Sequence, residues 1–114
     1  MLRPQEGRRR REAMGKVRIE VLPALGEALG IEATGEEDIS GGESPGHFSV
    51  KDLLNRLGTR YRRFDQLVFD ADGQQLTGQV VIFLNGRNLE LIDGLETKLR
   101  DGDTVTFIPF IEGG

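Results

Sequence analysis

Several ingredients of common protein chemistry are missing or scarce in this sequence. Among its 114 residues there is no cysteine and no tryptophan, and His47 is the single histidine. Disulfides, thiolate nucleophiles and cysteine-ligated zinc or iron–sulfur sites are therefore excluded. A histidine metal site or a catalytic triad would depend entirely on His47, which stands between Gly46 and Phe48 in a stretch typical of a loop. We expect neither a metal site nor an enzyme active site.

Long apolar runs are missing too. No stretch approaches the roughly 20 residues that span a bilayer. No apolar segment follows the N-terminal arginines, as a secretory signal would require. Glycine-rich phosphate loops are absent, because Gly41-Gly42 does not join a strand to a helix. We therefore expect a cytoplasmic protein without a membrane role.

Charge is distributed unevenly. Residues 1–15 carry five arginines and two glutamates, whereas residues 16–114 carry ten basic and seventeen acidic residues. The run Arg8–Arg11 repels itself and offers nothing to bury, so residues 1–15 are interpreted as a disordered basic extension, or as sequence ahead of a true start at Met14. The acidic remainder argues against nucleic acid as a partner and favours basic protein surfaces.

One helix is well marked by its residue pattern. Ser49 and Asp52 have the spacing of a capping box. Apolar residues then recur at helical spacing, which predicts a helix through about residue 62 with one buried face. These apolar positions are Val50, Leu53, Leu54, Leu57 and Tyr61.

Strands are predicted on both sides of this helix. Lys16–Leu22 alternates, Gln79–Asn85 is strongly apolar, and Thr104–Phe110 is the last strand. Asn85-Gly86 predicts a type I′ hairpin turn that returns through residues 87–91. Pro109 cannot donate a ladder hydrogen bond, so pairing should fail on that side.

The segments between these elements are predicted to be turns and loops. Pro23 ends the first strand, and residues 24–29 could form a short helical turn. Residues 32–46 are interpreted as a loop, with a possible short second strand near residues 31–33 or Ile39.

This order of elements predicts an α+β fold. The sheet would have about four to five strands, mixed in direction and packed on one main helix. The first and last strands could lie side by side and parallel in its centre, which is the β-grasp (ubiquitin-like) layout. We assign the domain to residues 16–112 and a flexible Gly-Gly tail to residues 113–114.

The tail is the one segment whose chemistry stands out. Glycine has no Cβ, so Gly113-Gly114 could extend through a narrow channel and place its carboxylate against a nucleotide. A terminal carboxylate is ionised at neutral pH and can attack the α-phosphorus of ATP. The alternative is an ordinary frayed end.

Residues 16–114 resemble the MoaD/ThiS family of sulfur-carrier proteins, and most of all the small subunit of molybdopterin synthase. The matching motifs are the first strand, the helix segment at 49–61 and, above all, residues 84–114. Within this last stretch, the shared features are Leu84-Asn85-Gly86-Arg87, Asp93-Gly94-Leu95, Asp101-Gly102-Asp103, Pro109 and Gly113-Gly114.

The resemblance implies a reaction cycle. A ubiquitin-activating-like adenylyltransferase (MoaB/MoeB/ThiF type) would use ATP to adenylate Gly114, and sulfur transfer would give a C-terminal thiocarboxylate. A MoaE-like large subunit of molybdopterin synthase would then receive the tail. Gly113 and Glu112 would be spacers. The chain would bind no cofactor alone and would act as a co-substrate.

Phe107, Phe110 and Ile111 are candidates for an apolar docking surface, with core packing as the alternative for each. Glu112 departs from the small residues common in the family before Gly-Gly, and residues 31–48 are longer than usual. Other functions stay open. These are a protein modifier joined to lysines through Gly114, a sulfur carrier for thiamine, tRNA thiolation or cysteine, and a plain interaction module.

Overall fold

A computed structural model describes residues 15–31, 34–39, 48–61 and 63–110. None of the helices in these ranges is long and apolar enough to cross a membrane. The strands are β1 (Lys16–Val21), β2 (Thr34–Asp38), β3 (Phe69–Asp70), β4 (Gln75–Leu76), β5 (Val80–Leu84), β6 (Arg87–Asn88) and β7 (Thr104–Pro109). The helices are α1 (Pro23–Leu29), α2 (Val50–Arg60) and the single turn α3 (Phe64–Leu67), and Leu89–Leu91 and Gly94–Glu96 are 3-10 turns.

Five strands form one mixed sheet in the order β2-β1-β7-β5-β6, and β3 and β4 form a separate pair. β1 and β7 are parallel neighbours in its centre, with Ile19 opposite Val105 and Val21 opposite Phe107. The remaining pairs of the large sheet are antiparallel. The predicted placement of the first and last strands is confirmed, and so is the α+β β-grasp arrangement.

The core lies between one face of this sheet and α2. Strand alternation places every second side chain on that face, and these are buried. They are Val17, Ile19, Val21, Val80, Ile82, Leu84, Val105 and Phe107. α2 contributes Val50, Leu53, Leu54 and Leu57 to the same cluster. Burying a side chain of this size contributes about 1.5–3 kcal/mol, so this face holds the helix on the sheet.

The predicted capping box of α2 is present. The Asp52 amide donates to Ser49 Oγ at 3.2 Å, and the Ser49 amide donates to Asp52 Oδ2 at 2.9 Å. The two side chains thereby satisfy amides that the first helical turn leaves open. The helix ends at Arg60 rather than at residue 62.

β2 corrects the interpretation of residues 32–46 as a loop. It occupies residues 34–38 and pairs antiparallel with β1, so that Lys16 faces Asp38 and Arg18 faces Glu36. Opposite charges across two strands stabilise such a pair. The sequence of β2 has no apolar alternation, which is why the pattern did not reveal it.

β2 also forms hydrogen bonds with side chains of α2. Glu37 is only 7% exposed, and Arg60 donates to both of its carboxylate oxygens at 2.8 and 2.9 Å. This carboxylate raises the pKa of Arg60 through hydrogen bonding and charge attraction. Arg56 donates to the Asp38 carbonyl and places its guanidinium carbon 4.6 Å from the centre of the Phe48 ring.

The Asn85-Gly86 turn is confirmed, with φ of 52° and 84° at its two residues. The returning strand is shorter than predicted. β6 stops at Asn88, whose side-chain oxygen accepts from the Glu90 amide at 2.9 Å and starts the 3-10 turn. Gly15, which the sequence assigned to the extension, is buried and its carbonyl accepts from the Ile39 amide at 2.8 Å, so this residue belongs to the domain, whereas residues 1–14 lie outside the described residues.

Candidate functional site

The candidate site is the end of β7, where the chain leaves the sheet. Val80 pairs with Pro109, and the Phe110 amide donates to the Gln79 carbonyl at 2.9 Å. On the other side of β7, the register with β1 ends at Phe107. Among the described residues, β7 therefore loses its β1 partner first and is paired with β5 alone near Pro109, as predicted for this side of the strand.

The predicted reacting residues follow directly on this exit. Ile111, Glu112, Gly113 and Gly114 come after Phe110 in the sequence and lie outside the described residues. Their assigned roles stay predictions. What the structure fixes is their starting point, at the central strand of the sheet and beside β5.

Phe107 corrects the predicted docking set. Its side chain is fully buried, and its ring packs edge-to-face on Phe64 with centroids 5.9 Å apart. It belongs to the core because β7 alternates and Phe107 points to the α2 side, like Val105. It therefore cannot touch a partner.

Phe110 is different, because its side chain is 56% exposed. It shares a strand face with Ile108, and Ile108 stands opposite Val81. Phe83 lies two residues further along β5, and Leu22, which follows β1, is 47% exposed. We call Leu22, Val81, Phe83, Ile108 and Phe110 the tail-side patch. Such an apolar surface beside a chain end fits contact with another protein.

Four members of the tail-side patch were missed in the sequence. The available signal was that β5, with the sequence VVIFL, is apolar on both faces, and that β7 adds Ile108 to the face that its threonines otherwise occupy. A strand that is apolar on both faces is usually covered on both. Here α2 covers only one of them.

The opposite end of the same sheet surface is charged. Lys16, Arg18 and Glu36 are exposed there, close to Asp101 and the start of β7 at Thr104. They border a shallow groove of about 600 Å³. Because Thr104 and Pro109 are the two ends of β7, this groove lies away from the chain exit.

The described parts of the chain contain no group of three or more His, Asp or Glu residues that could hold a metal ion. His47 lies outside them. The distinctive arrangement within them is thus an apolar surface next to an exiting strand.

A family comparison connects this geometry to known proteins. The model of the ThiS family matches residues 32–114, which include β7 and everything that follows it. The chain belongs to the ThiS family. Membership confirms the resemblance seen in the sequence and places the chain among small ubiquitin-like sulfur carriers and modifiers, a group of carrier proteins.

Individual ThiS-family and ubiquitin-like relatives agree with this placement. A protein of Archaeoglobus fulgidus, provisionally named a sulfur carrier protein, is 43% identical over 66 residues, covering 58% of this chain and 74% of the relative. Small archaeal modifier protein 1 of Methanosarcina acetivorans superposes with a TM-score of 0.68 at 28% identity, covering 89% of this chain and 98% of that one. A provisionally assigned molybdopterin converting factor subunit 1 of Pyrococcus furiosus gives a TM-score of 0.59 at 26% identity, with 85% and 99% covered.

Proposed function

We propose that the chain is a sulfur carrier for molybdopterin synthesis and that Gly114 is its reacting residue. The observation that carries this proposal is the path of β7. It runs through the centre of the sheet, leaves it at Phe110 beside the partly exposed tail-side patch, and is followed by four residues that end in Gly113-Gly114.

The proposed chemistry begins at the terminal carboxylate. One of its oxygens attacks the α-phosphorus of ATP and pyrophosphate leaves, which gives an acyl adenylate. Hydrosulfide, delivered by the sulfur source of the activating partner, then attacks the acyl carbon and AMP leaves, so that the terminus becomes a thiocarboxylate. The thiocarboxylate sulfur attacks a carbon of the pterin precursor and displaces an oxygen substituent of that carbon, which leaves with a proton, so that a thioester links the two molecules. Water then attacks the thioester carbonyl, which restores the carboxylate and leaves the sulfur on the pterin as a thiolate.

In this proposal the chain contributes only its terminal carboxylate, and partner proteins supply the ATP, the sulfur and the pterin. An adenylyltransferase related to ubiquitin activators would bind ATP, and a MoaE-like large subunit would bind the pterin. Both must approach Gly114, and a tail of four residues reaches at most about 14 Å beyond Phe110. Both partners are therefore expected to contact the tail-side patch. We place this cycle in the cytoplasm.

The decisive measurement is the intact mass of the protein purified from its native host. A mass gain equal to the replacement of one terminal oxygen by sulfur is the expected result. A host strain whose chain lacks Gly114 should also lose the activity of its molybdenum-cofactor enzymes, and expression of the full-length chain should restore that activity. If no sulfur-bearing form occurs and deletion of Gly114 has no consequence, the proposal is wrong.

A second candidate is a protein modifier, favoured by the 28% identity to small archaeal modifier protein 1. The same acyl adenylate would then pass its acyl group to a lysine amine and form an isopeptide bond. Gly-Gly remnants on lysines of host proteins that disappear when Gly114 is deleted would support it.

A sulfur carrier for another pathway is tested by the same deletion. If the strain without Gly114 loses synthesis of thiamine, thiolated tRNA or cysteine while its molybdenum enzymes stay active, the sulfur belongs to that other pathway.

A further inference from the structure

The last described hydrogen bond of the exiting chain is made to a short loop outside β7. This exit loop consists of Thr77, Gly78 and Gln79, which connect β4 to β5. The Gln79 carbonyl accepts from the Phe110 amide at 2.9 Å. Because this bond lies beyond the last strand pair, the position of Gln79 determines where the tail separates from the sheet.

The exit loop is itself tied to α3. The Thr77 hydroxyl donates to the Leu67 carbonyl at 2.8 Å and accepts from the Gln79 amide at 3.2 Å. The Thr77 amide donates to the Val68 carbonyl at 3.0 Å. A single hydroxyl thus connects the end of α3 to the residue that holds Phe110.

Two further features shape this loop. The Gln79 side-chain amide donates to the Gln66 carbonyl at 3.2 Å. Gly78 has a φ of +87°, a conformation that a residue with a Cβ adopts only with strain. These contacts give the loop one geometry although Gly78 and Gln79 are exposed.

We infer that the exit loop is a positioning element that sets the free length of the tail. It holds the chain as far as Phe110, and the four residues that follow in the sequence could reach at most about 14 Å into a partner. Were the Phe110 contact released, the free tail would begin earlier on β7 and would be longer. The part of this inference that concerns catalysis rests on the proposed function.

The first test measures hydrogen exchange at the Phe110 amide in the free protein. Thr77→Val removes the hydroxyl and keeps the size, so exchange should become about tenfold faster, the loss expected for one net hydrogen bond. Thr77→Ser keeps the hydroxyl and should restore slow exchange. Unchanged exchange in Thr77→Val would overturn the inference.

A glycine pair provides a matched control. Gly78 and Gly30 both have positive φ, +87° and +78°, and space for a Cβ at each. Gly78→Ala and Gly30→Ala should therefore strain the backbone equally. Faster exchange at Phe110 is expected only for Gly78→Ala. Equal acceleration in both would mean a general loss of stability and would contradict the positioning role.

The second test uses the activating enzyme and tail length. Deletion of Glu112 shortens the tail and should lower kcat for adenylation with little change in KM. In the Thr77→Val background, the same deletion should lower kcat several-fold less, because a released exit loop lets the tail begin earlier on β7 and become longer. An equal decrease in kcat in both backgrounds would refute the claim that the exit loop sets the length of the tail.

The two tests separate the inference from the proposed function. Exchange at Phe110 requires no partner. If it responds as expected while Gly114 of the native chain is never adenylated by any activating enzyme of the host, the exit loop stands as a positioning element and the proposed function fails.

Discussion

Two phenylalanines three residues apart, Phe107 in β7 and Phe110 just after it, have opposite environments. Phe107 faces the core and Phe110 faces solvent next to the chain exit. The sequence predicts both as docking candidates because both are apolar and stand close to the tail. Strand alternation places the two rings on opposite sides of the sheet, and α2 packs on the side of Phe107.

This contrast predicts different effects for two alanine substitutions. Phe107→Ala should lower the free energy of unfolding by about 3–5 kcal/mol, since it empties part of the core. Phe110→Ala should change it by no more than about 0.5 kcal/mol. Instead, it should raise KM for the activating enzyme about tenfold, as for an exposed aromatic anchor. Denaturant unfolding and pyrophosphate-exchange kinetics measure the two effects. Equal KM values for native protein and Phe110→Ala would remove Phe110 from the docking surface.

The pair Glu37–Arg60 gives a second prediction at this scale. Arg60→Ala leaves a buried carboxylate without its partner and should destabilise the protein by about 1–2 kcal/mol, a value reduced because the Arg60 side chain is half exposed. Adding Glu37→Gln should recover part of this loss. The raised pKa of Arg60 means that its contribution is complete below the unfolded pKa and is lost only as pH rises through the higher folded value. Thermal unfolding of the single and double variants checks the coupling.

At the scale of elements, local signals were sufficient for some and not for others. The capping box, the helical spacing and Asn85-Gly86 each act within a few residues, and each produced the expected element. β2 has no such signal. It forms because β1 offers a pairing edge and because Arg60, 23 residues away from Glu37, binds its carboxylate. The tail-side patch likewise required the register between distant strands.

The importance of the capping box can be tested directly. Ser49→Ala removes the oxygen that accepts from the Asp52 amide and should cost about 1 kcal/mol of stability. Thr59→Ala, at the exposed end of the same helix, removes only a bond from a hydroxyl to the Arg56 carbonyl and should be nearly neutral. Urea unfolding should rank the two variants in this order. An equal loss for both would argue against a stabilising cap.

At the scale of the whole molecule, one sheet surface is divided between an apolar end at the chain exit and a charged end at the start of β7. The apolar end lies where both proposed partners must meet Gly114. The sequence showed the acidic balance of the domain but not this division, because it arises from the pairing of β1, β7 and β5.

A matched pair of glutamine substitutions tests the division. Leu22→Gln alters the tail-side patch and should raise KM for the activating enzyme several-fold through loss of apolar contact. Glu36→Gln alters the charged end and should leave KM within about twofold, as expected for a residue outside the contact region. Circular dichroism should show both variants folded. Equal sensitivity at both positions would place the partner across the whole surface rather than at its apolar end.

The parallel pairing of β1 with β7 also governs when the carrier becomes competent during synthesis. The strand made first needs the strand made almost last, since Arg18 pairs with Thr104. While β7 is still inside the ribosome, β1 lacks the parallel strand that connects it to β5 and β6, so the five-stranded sheet cannot form. Such long-range closure is slow relative to local helix formation. A chain cut short within β7 lacks both this central strand and the proposed reactive residue Gly114, so an activating enzyme would meet that residue only on a chain whose sheet can close.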